Sequence, residues 1–338
     1  MKDILEVIII GLGNQTRKDH IPAILRRSDL KIVAIVDKDK KLLKIYGKEL
    51  NAECFSSTKD ALNAVSPDLA IVALPHNEYY DVLEILAKKR VATLKEKPLA
   101  MTHIEAKKII NLYQSHGVYL QICVQRRFSK LYDTTKKLLS EIGRVYSMYV
   151  EYTLSLTAED MASGWRADKK NSGGGATLDM GYHTIDLLTY ILGVPDKIYA
   201  QLSYNSLSSN YTIEDTMKAM MTYKNGQISA NIIVTKIFNQ KNEKIRIFGD
   251  KGSLYVDGRT VTLFDNKKNE IESYTYNSKD QEIDKQLDFF INNYSDKKMI
   301  NIINNKLLSD QEKDMLIIDA IYKSSEEEKV IKFNEGSE

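Results

Sequence analysis

The first 125 residues constrain the fold most strongly, because short apolar runs alternate there with amphipathic segments. Leu5–Ile10, Lys31–Val36, Leu69–Leu74, Val91–Leu94 and Tyr119–Val124 are strand-like and rich in Val, Ile and Leu. Gln15–Arg27, Lys38–Leu50, Asn77–Lys89 and Thr102–His116 carry helical spacing between them. A strand that is apolar on both faces needs cover on both, and a strand–helix–strand rhythm supplies it. The expectation is a doubly wound parallel α/β sheet, a Rossmann domain, over residues 1–124.

The first run ends in Gly11-Leu12-Gly13-Asn14-Gln15-Thr16, where a helical pattern begins. After the first strand of a βαβ unit, such glycines have a mechanical meaning. Gly11 permits the tight turn, and Gly13 lets the backbone approach a pyrophosphate at the helix N-terminus. Thr16 replaces the third glycine, which predicts altered helix–strand packing with binding retained. Asp37 ends the second run, 21 residues beyond Thr16, at the spacing where an acid meets an adenosine ribose. An acid there repels a 2′-phosphate and favours NAD over NADP. Lys38 and Lys41 soften that preference and keep NADP open. The competing reading is a glycine turn that holds no dinucleotide, with Asp37 capping the next helix.

After residue 125 the pattern changes. A helical segment near 129–140 leads into the alternating run Val145–Leu154. Lys197–Tyr204, Asp215–Tyr223, Gln227–Thr235, Lys244–Phe248, Ser253–Val256, Thr260–Phe264 and Ile271–Tyr276 follow, with turns such as Lys224-Asn225-Gly226. Consecutive strands joined by hairpin turns predict an α+β domain, 125–338, with a large, mostly antiparallel open sheet. Helical stretches near 280–294 and 308–325 close the chain, the last expected to pack back on the first domain. At 338 residues, two domains match a prior of roughly 150 residues each.

Charge excludes some partners. The chain has 48 basic and 46 acidic residues, with no basic stripe, so nucleic acid is not an expected partner. No run approaches the ~20 apolar residues of a membrane span. Cys54 and Cys123 have no metal-ligand spacing and read as buried thiols in a reducing compartment, ahead of a disulfide between them. The N-terminus lacks a signal-peptide layout. A cytoplasmic location is expected.

A second glycine-rich stretch, Gly173-Gly174-Gly175-Ala-Thr-Leu-Asp179-Met-Gly181-Tyr182-His183-Thr-Ile-Asp186, admits three readings. It suits an anion-binding loop before a helix, half of a metal site, or an acid/base pair. Asp179 and His183 lie four apart, so on a helix they share a face one turn apart. An imidazole titrating near neutrality is suited to take a hydroxyl proton as a hydride departs, and a nearby carboxylate orients it and stabilises its protonated form. For a metal, Asp186 or Asp215 would have to complete the set. The chain has only five histidines and no matching His- or Cys-rich partner, so no metal is expected. Asp186 reads as a structural anchor of the helix. With the Gly11 turn placed for a pyrophosphate, the three later glycines are expected to bring backbone close to substrate and nicotinamide.

Upstream, Trp165 and Arg166 either wall a sugar pocket or pack against the protein. Arg126, Arg127 and Lys169 are candidates for a substrate phosphate or carboxylate, and Tyr182 for a substrate contact.

Three motifs occur in order: Gly11-Leu-Gly13 with His20-Ile-Pro22-Ala23, then Lys95-Glu96-Lys97-Pro98-Leu99-Ala100, then the Gly173–Asp186 stretch. Together they resemble the glucose–fructose oxidoreductase / inositol dehydrogenase (Gfo/Idh/MocA) family, over essentially the whole chain. The resemblance implies a nicotinamide dinucleotide, NAD or NADP, and oxidation of a sugar or polyol ring hydroxyl, or reduction of the matching ketone. It implies Lys97 as catalytic lysine, His183 as acid/base and Asp179 as partner acid. Cofactor contacts are implied at Gly11, Leu12, Gly13, Asn14, Gln15, Asp37, Leu74, Pro75, His76, Tyr79, Glu96, Lys97 and Gln125. Tyr79 stands where many members carry histidine. Substrate contacts are implied at Arg126, Trp165, Arg166, Asp179, Tyr182 and His183.

Lys97 follows the fifth strand at the carboxyl edge, where an ammonium can stabilise developing alkoxide charge. The Lys97–Pro98 bond is a candidate cis peptide. Two other classes stay in view: a hydrolase or epimerase using tightly held NAD for transient oxidation, and a non-catalytic NAD-binding sensor. The open sheet face predicts a homo-oligomer, dimer or tetramer, through the C-terminal sheets.

Overall fold

A computed structural model of the chain describes residues 4–208, 210–276 and 280–333. It separates into two compact units: residues 1–100, 104–125 and 280–312 form the first, and 101–103, 126–279 and 313–338 the second. The division falls at Gln125/Arg126, and the segment from 280 to 312 rejoins the first unit.

In the first unit, β1 (Leu5–Ile10), β2 (Leu30–Val36), β3 (Glu53–Phe55), β4 (Leu69–Val72), β5 (Ala92–Glu96) and β6 (Leu120–Cys123) form one sheet in the order β3-β2-β1-β4-β5-β6. All its pairings are parallel. That is the doubly wound order, with the strand order reversing between β1 and β4. The spacing did not reveal β3, which has three residues and no fully buried side chain. The helix expected over Gln15–Arg27 is two shorter pieces, a π-turn at Thr16–His20 and an α-turn at Ile21–Leu25.

Helix Asp280–Asn293 presents Ile283, Leu287 and Phe290 to the same core as β1, β2 and β4. Their i, i+4, i+7 spacing makes one apolar stripe. Arg26 pairs with Asp284 at 2.6 Å, and Arg27 with Asp288, along its polar side. Both pairs are solvent-screened, so the apolar stripe supplies most of the holding energy.

The second unit is built on β7 (Val145–Ser155), β8 (Lys197–Tyr204), β9 (Glu214–Tyr223), β10 (Ile228–Thr235), β11 (Ile237–Gly249), β12 (Gly252–Asp257), β13 (Thr260–Asp265), β14 (Glu270–Thr275) and β15 (Ile331–Lys332). They form a nine-stranded sheet in the order β14-β13-β12-β11-β7-β10-β9-β8-β15. Its pairings are antiparallel except β10 with β7. One face buries Met148, Val150, Ile232, Val234, Met217, Ala219, Ile245 and Ile247. On the other, register aligns Tyr255, Arg246, Tyr149, Asn231, Met220 and Tyr199 in one row across six strands. Tyr149 and Met220 there are 53% and 58% exposed.

Strand β11 begins seven residues before the expected start at Lys244. Its early part, Asn239-Gln240-Lys241-Asn242, is polar enough to read as a loop. Pairing with β7 holds that part extended, across an irregularity in register between Ile237 and Asn242. No helix among the described residues is long and apolar enough to cross a membrane. Both cysteines are free; Cys123 is buried, but the expected burial of Cys54 is corrected, since it lies exposed on the edge strand β3.

Candidate active site

In the first unit the implied cofactor residues gather along the carboxyl edge of the parallel sheet. Gly11 follows β1, Asp37 follows β2, Leu74 and Pro75 follow β4, Lys97 follows β5 and Gln125 follows β6. Gly11 adopts φ +93, and a Cβ there would lie 2.0 Å from the Ala73 carbonyl oxygen, so only glycine fits. The Leu12 amide donates to the Asp37 carboxylate at 2.6 Å, and the Asp39 amide donates to its other oxygen at 2.8 Å. Asp37 is therefore tied to the glycine turn. The helix N-cap is Asp39, which accepts from the Lys41 and Leu42 amides.

Thr16, at the expected third glycine, is buried and donates its hydroxyl to the Gly11 carbonyl at 2.7 Å. The substitution thus pins the turn from below. At Gly13 a Cβ would meet no protein atom within 4 Å, so packing within the chain does not require glycine there. Asn14 and Gln15 are exposed, paired with Arg17 and Asp19. Lys38 is directed to Glu78 at 2.8 Å.

Several implied contacts are interior groups instead. His76 and Tyr79 are 3% and 2% exposed. The Tyr79 ring lies 3.4 Å beneath the Lys95 ammonium, and its hydroxyl accepts from the Leu74 amide at 3.4 Å. A bulky phenol in the core there leaves no side-chain surface for a cofactor edge. Glu96 bonds His20 at 2.8 Å. Burial would raise the Glu96 carboxyl, but the His20 hydrogen bond and the charges of His20, Lys97 and Lys95 hold it below its ordinary value. Cys123 lies with His20 and Glu96, their ligand-type atoms within 4.8 Å of one another. Burial and the Glu96 charge push the thiol well up, so it stays protonated.

The Lys97–Pro98 bond is cis. Just before it, Lys95 is fully buried and donates to the Glu96 carbonyl at 2.8 Å and to the Pro98 carbonyl. It thus ties together the two residues flanking Lys97. Burial pushes its ammonium down to about 7, against the nearby charges of Glu96 and Glu105.

In the second unit the Gly173–Gly175 run makes close protein contacts. A Cβ on Gly174 would lie 1.8 Å from the Tyr322 hydroxyl, and one on Gly175 2.1 Å from the Glu214 carbonyl oxygen. The fully buried Glu214 carboxylate accepts from the Gly175 and Thr177 amides at 2.9 and 2.8 Å and from Tyr322 at 2.8 Å. At these glycines the close approach on the side-chain side is to protein groups. The room they provide is filled by the protein, and the anion at this helix start is its own Glu214.

Asp179 lies in a π-helical turn, Ala176–Met180, and His183 is the second residue of the α-helix Tyr182–Leu192. The simple one-turn α relation is corrected, since the Gly181 amide bonds the Ala176 carbonyl five residues back at 2.7 Å. Both side chains are partly buried. Asp179 accepts from Lys236 at 2.9 Å, and Arg166 Nε lies 3.4 Å from the same oxygen. Arg166 stacks 4.2 Å over Trp165 and is about half exposed.

Arg126 pairs with Glu243 at 2.6 Å and lies 4.8 Å over the Tyr152 ring. Arg127 pairs with Asp186 at 2.8 Å, inside the unit. The charge each was expected to offer a substrate anion is met by a protein carboxylate. Asp186 is thereby a structural anchor, and Asp215 is held by Ser206 and Tyr211. Tyr182 is fully buried and turns no surface toward a ligand.

Sequence reasoning missed two residues beside Asp179, Lys236 and Tyr152. Each continues the even-numbered, covered face of its strand: Lys236 after Ile232 and Val234, Tyr152 after Met148 and Val150. That parity was the available signal. Burial, aided by the charges of Glu243 and Asp179 and opposed by Arg126, raises the Tyr152 phenol above its ordinary value.

D-glucoside 3-dehydrogenase of Escherichia coli K12 is 28% identical over 246 residues, 66% of this chain and 68% of that one. A chain of Amycolatopsis mediterranei named for UDP-kanosamine synthesis is 26% identical over 185 residues, 55% of this chain and 51% of that one. This chain thus spans about half the length of that relative. Among solved structures, the aldose-aldose oxidoreductase of Caulobacter crescentus, complexed with glycerol, superimposes with TM-score 0.81 at 20% identity, covering 98% of this chain and 100% of that one. That likeness speaks for the fold. Residues 5–123 match the oxidoreductase family with an NAD-binding Rossmann fold, and residues 132–255 match the GFO/IDH/MocA C-terminal domain. The chain belongs to the Gfo/Idh/MocA family of oxidoreductases.

Proposed function

We propose that the protein is an NAD-dependent dehydrogenase that moves a hydride between nicotinamide and a ring hydroxyl or ketone of a sugar, sugar derivative or inositol. The observation that carries this reading is the Asp179 carboxylate, fixed between Lys236 and Arg166 at the start of the helix that bears His183. The names of the relatives support a sugar: one is a glucoside dehydrogenase, another an aldose–aldose oxidoreductase.

The first unit fits the cofactor. Gly11 makes the turn, the Gly13 backbone is unobstructed by protein side chains, and Asp37 presents a carboxylate beside the Leu12 amide. Bound NAD supplies the hydride acceptor. The carboxylate at Asp37 disfavours a 2′-phosphate, since two anions would share one edge of the turn.

Each remaining step falls to the chain's own residues. His183 takes the proton from the substrate hydroxyl and returns it in the reverse direction. Asp179 orients that imidazole and stabilises its charged form. Lys97 hydrogen-bonds the reacting oxygen as it gains negative charge. Trp165 offers a flat apolar face to a sugar ring.

Mixing the protein with NAD⁺ and a panel of sugars, inositols and polyols should raise the reduced-nicotinamide absorbance. His183→Ala and Lys97→Ala should each lower turnover by about 10²-fold or more. Unchanged turnover in both would overturn the mechanism. Tightly held NAD that co-purifies, with no net redox turnover, would favour transient oxidation within a hydrolase or epimerase. The same reading includes self-association through the open sheet face carrying Tyr149 and Met220. Light scattering at micromolar concentration checks this, and a monomer counts against it.

A further inference from the structure

Lys236 is 3% exposed, directly after β10, and no motif marks it. We propose that Lys236 is a positioning residue of the active site, which fixes the Asp179 carboxylate for its work beside His183. The assignment rests on the dehydrogenase reading above.

Burial of a lysine ammonium costs several kcal/mol unless a partner charge and hydrogen bonds compensate it. Methionine would fill nearly the same volume without that cost, so packing alone gives no reason for a lysine. Its charge is directed at Asp179, 2.9 Å away. The neighbouring acid, Asp215, is already engaged by the Ser206 amide, the Ser206 hydroxyl and the Tyr211 hydroxyl, each at 2.9 Å.

The lysine backbone is held on both sides. Its amide donates to the Asp215 carbonyl at 2.9 Å, and its carbonyl accepts from the Leu156 amide at 2.8 Å. The cation therefore projects from a fixed strand end, whereas Asp179 stands in a π-turn, a less regular support. A rigid second residue that locks the rotamer of a working side chain is what an accurate site requires. Arg166 reaches the same oxygen at 3.4 Å but is about half exposed, so solvent weakens its hold. Tyr152 adds a neutral phenol on the same side of the sheet.

The test is a double-mutant cycle on the full-length protein. Lys236→Met should lower kcat by about 10²-fold, change KM less than about threefold and leave NAD affinity intact. Lys236→Arg should recover at least about tenfold of the lost kcat. If Lys236 acts through Asp179, the double variant with Asp179→Asn should be no slower than Asp179→Asn alone. Losses that multiply, or a Lys236→Met variant within threefold of the parent, would overturn the assignment.

A second measurement needs no turnover. The titration of the His183 imidazole, followed by NMR, should move upward in Lys236→Met, because the carboxylate proposed to orient it loses a competing cation. It should stay near the parent value in Lys236→Arg. If no sugar is oxidised by the parent chain, the proposed function fails and this titration still decides Lys236: an unmoved midpoint in Lys236→Met refutes it.

Discussion

The two glycine turns of the molecule begin alike and serve opposite ends. Gly11–Gly13 and Gly173–Gly175 each lead into a π-helical turn and then an α-helix. In the second turn, the Gly175 and Thr177 amides and the Tyr322 hydroxyl all converge on one oxygen of Glu214. In the first, Asp37 takes the Leu12 amide at the end of β2, while Gly13 and Asn14 stay exposed. Helix starts attract anions in general. Whether the anion is a ligand or a side chain depends on what the rest of the chain brings to the turn. Here one turn keeps its outer backbone accessible and the other is closed by its own carboxylate.

The sharpest way to break this contrast is Glu214→Ala. It strands two amides and a tyrosine hydroxyl in the interior, and we expect a loss of about 3–5 kcal/mol. Urea unfolding of the second unit should show it, with NAD still retained by the first. A loss below 1 kcal/mol would mean that the carboxylate is not what closes the turn.

The glycines themselves give the next largest effect. Gly175→Ala, with its Cβ 2.1 Å from the Glu214 carbonyl oxygen, should cost about 2–3 kcal/mol. Gly13→Ala should leave stability within about 0.5 kcal/mol and weaken NAD by about tenfold, because its methyl meets the ligand rather than the protein. Equal destabilisation by the two substitutions would erase the distinction. At Asp37, exchange for serine should shift the ratio of NAD to NADP affinity by about tenfold toward NADP, read by fluorescence titration.

A pH-dependent effect contrasts Lys95, whose ammonium is driven down to about 7, with the multiply bonded Glu214. In the unfolded chain a lysine titrates near 10.4. Between about pH 7 and 10 the unfolded state then holds more protons than the folded one, so the Lys95 contribution makes stability rise with pH. Below 7 the buried charge exacts its full penalty. Relative to Lys95→Met, the parent should gain up to about 1.4 kcal/mol per pH unit across that window. A constant difference between pH 6 and 9 would contradict the depressed titration.

The architecture of the first unit was legible because four of its five longer strands carry consecutive apolar residues, and β5 follows directly on Val91. Only β3 escaped, with two exposed residues out of three. The candidate site could be named in its local parts: Gly11, Asp37, Asp179 and His183 stand out by spacing, and Lys97 by the family resemblance. What could not be read were pairings set by tertiary packing. Lys236 meets Asp179 across 57 residues, and Arg126 and Arg127 looked available until Glu243 and Asp186 were brought beside them. Tyr79 was misleading for another reason. It occupies a position associated with a polar ring but serves as the floor beneath Lys95.

The return of helix Asp280–Asn293 to the first unit has a consequence for how the protein is made. Ile283, Leu287 and Phe290 complete a core whose other members lie almost entirely before residue 125. Fully burying three such side chains is worth roughly 5–8 kcal/mol, comparable to the whole stability of a typical domain. A nascent chain therefore emerges with its parallel sheet unfinished. At about 5–20 residues per second, translation takes on the order of ten to thirty seconds to supply the closing helix. Strands β7 to β14 of the second sheet are synthesised inside that interval. The dinucleotide half, first to leave the ribosome, is thus among the last parts to be sealed, and shortening the gene to its Rossmann segment would leave an apolar stripe permanently open to aggregation.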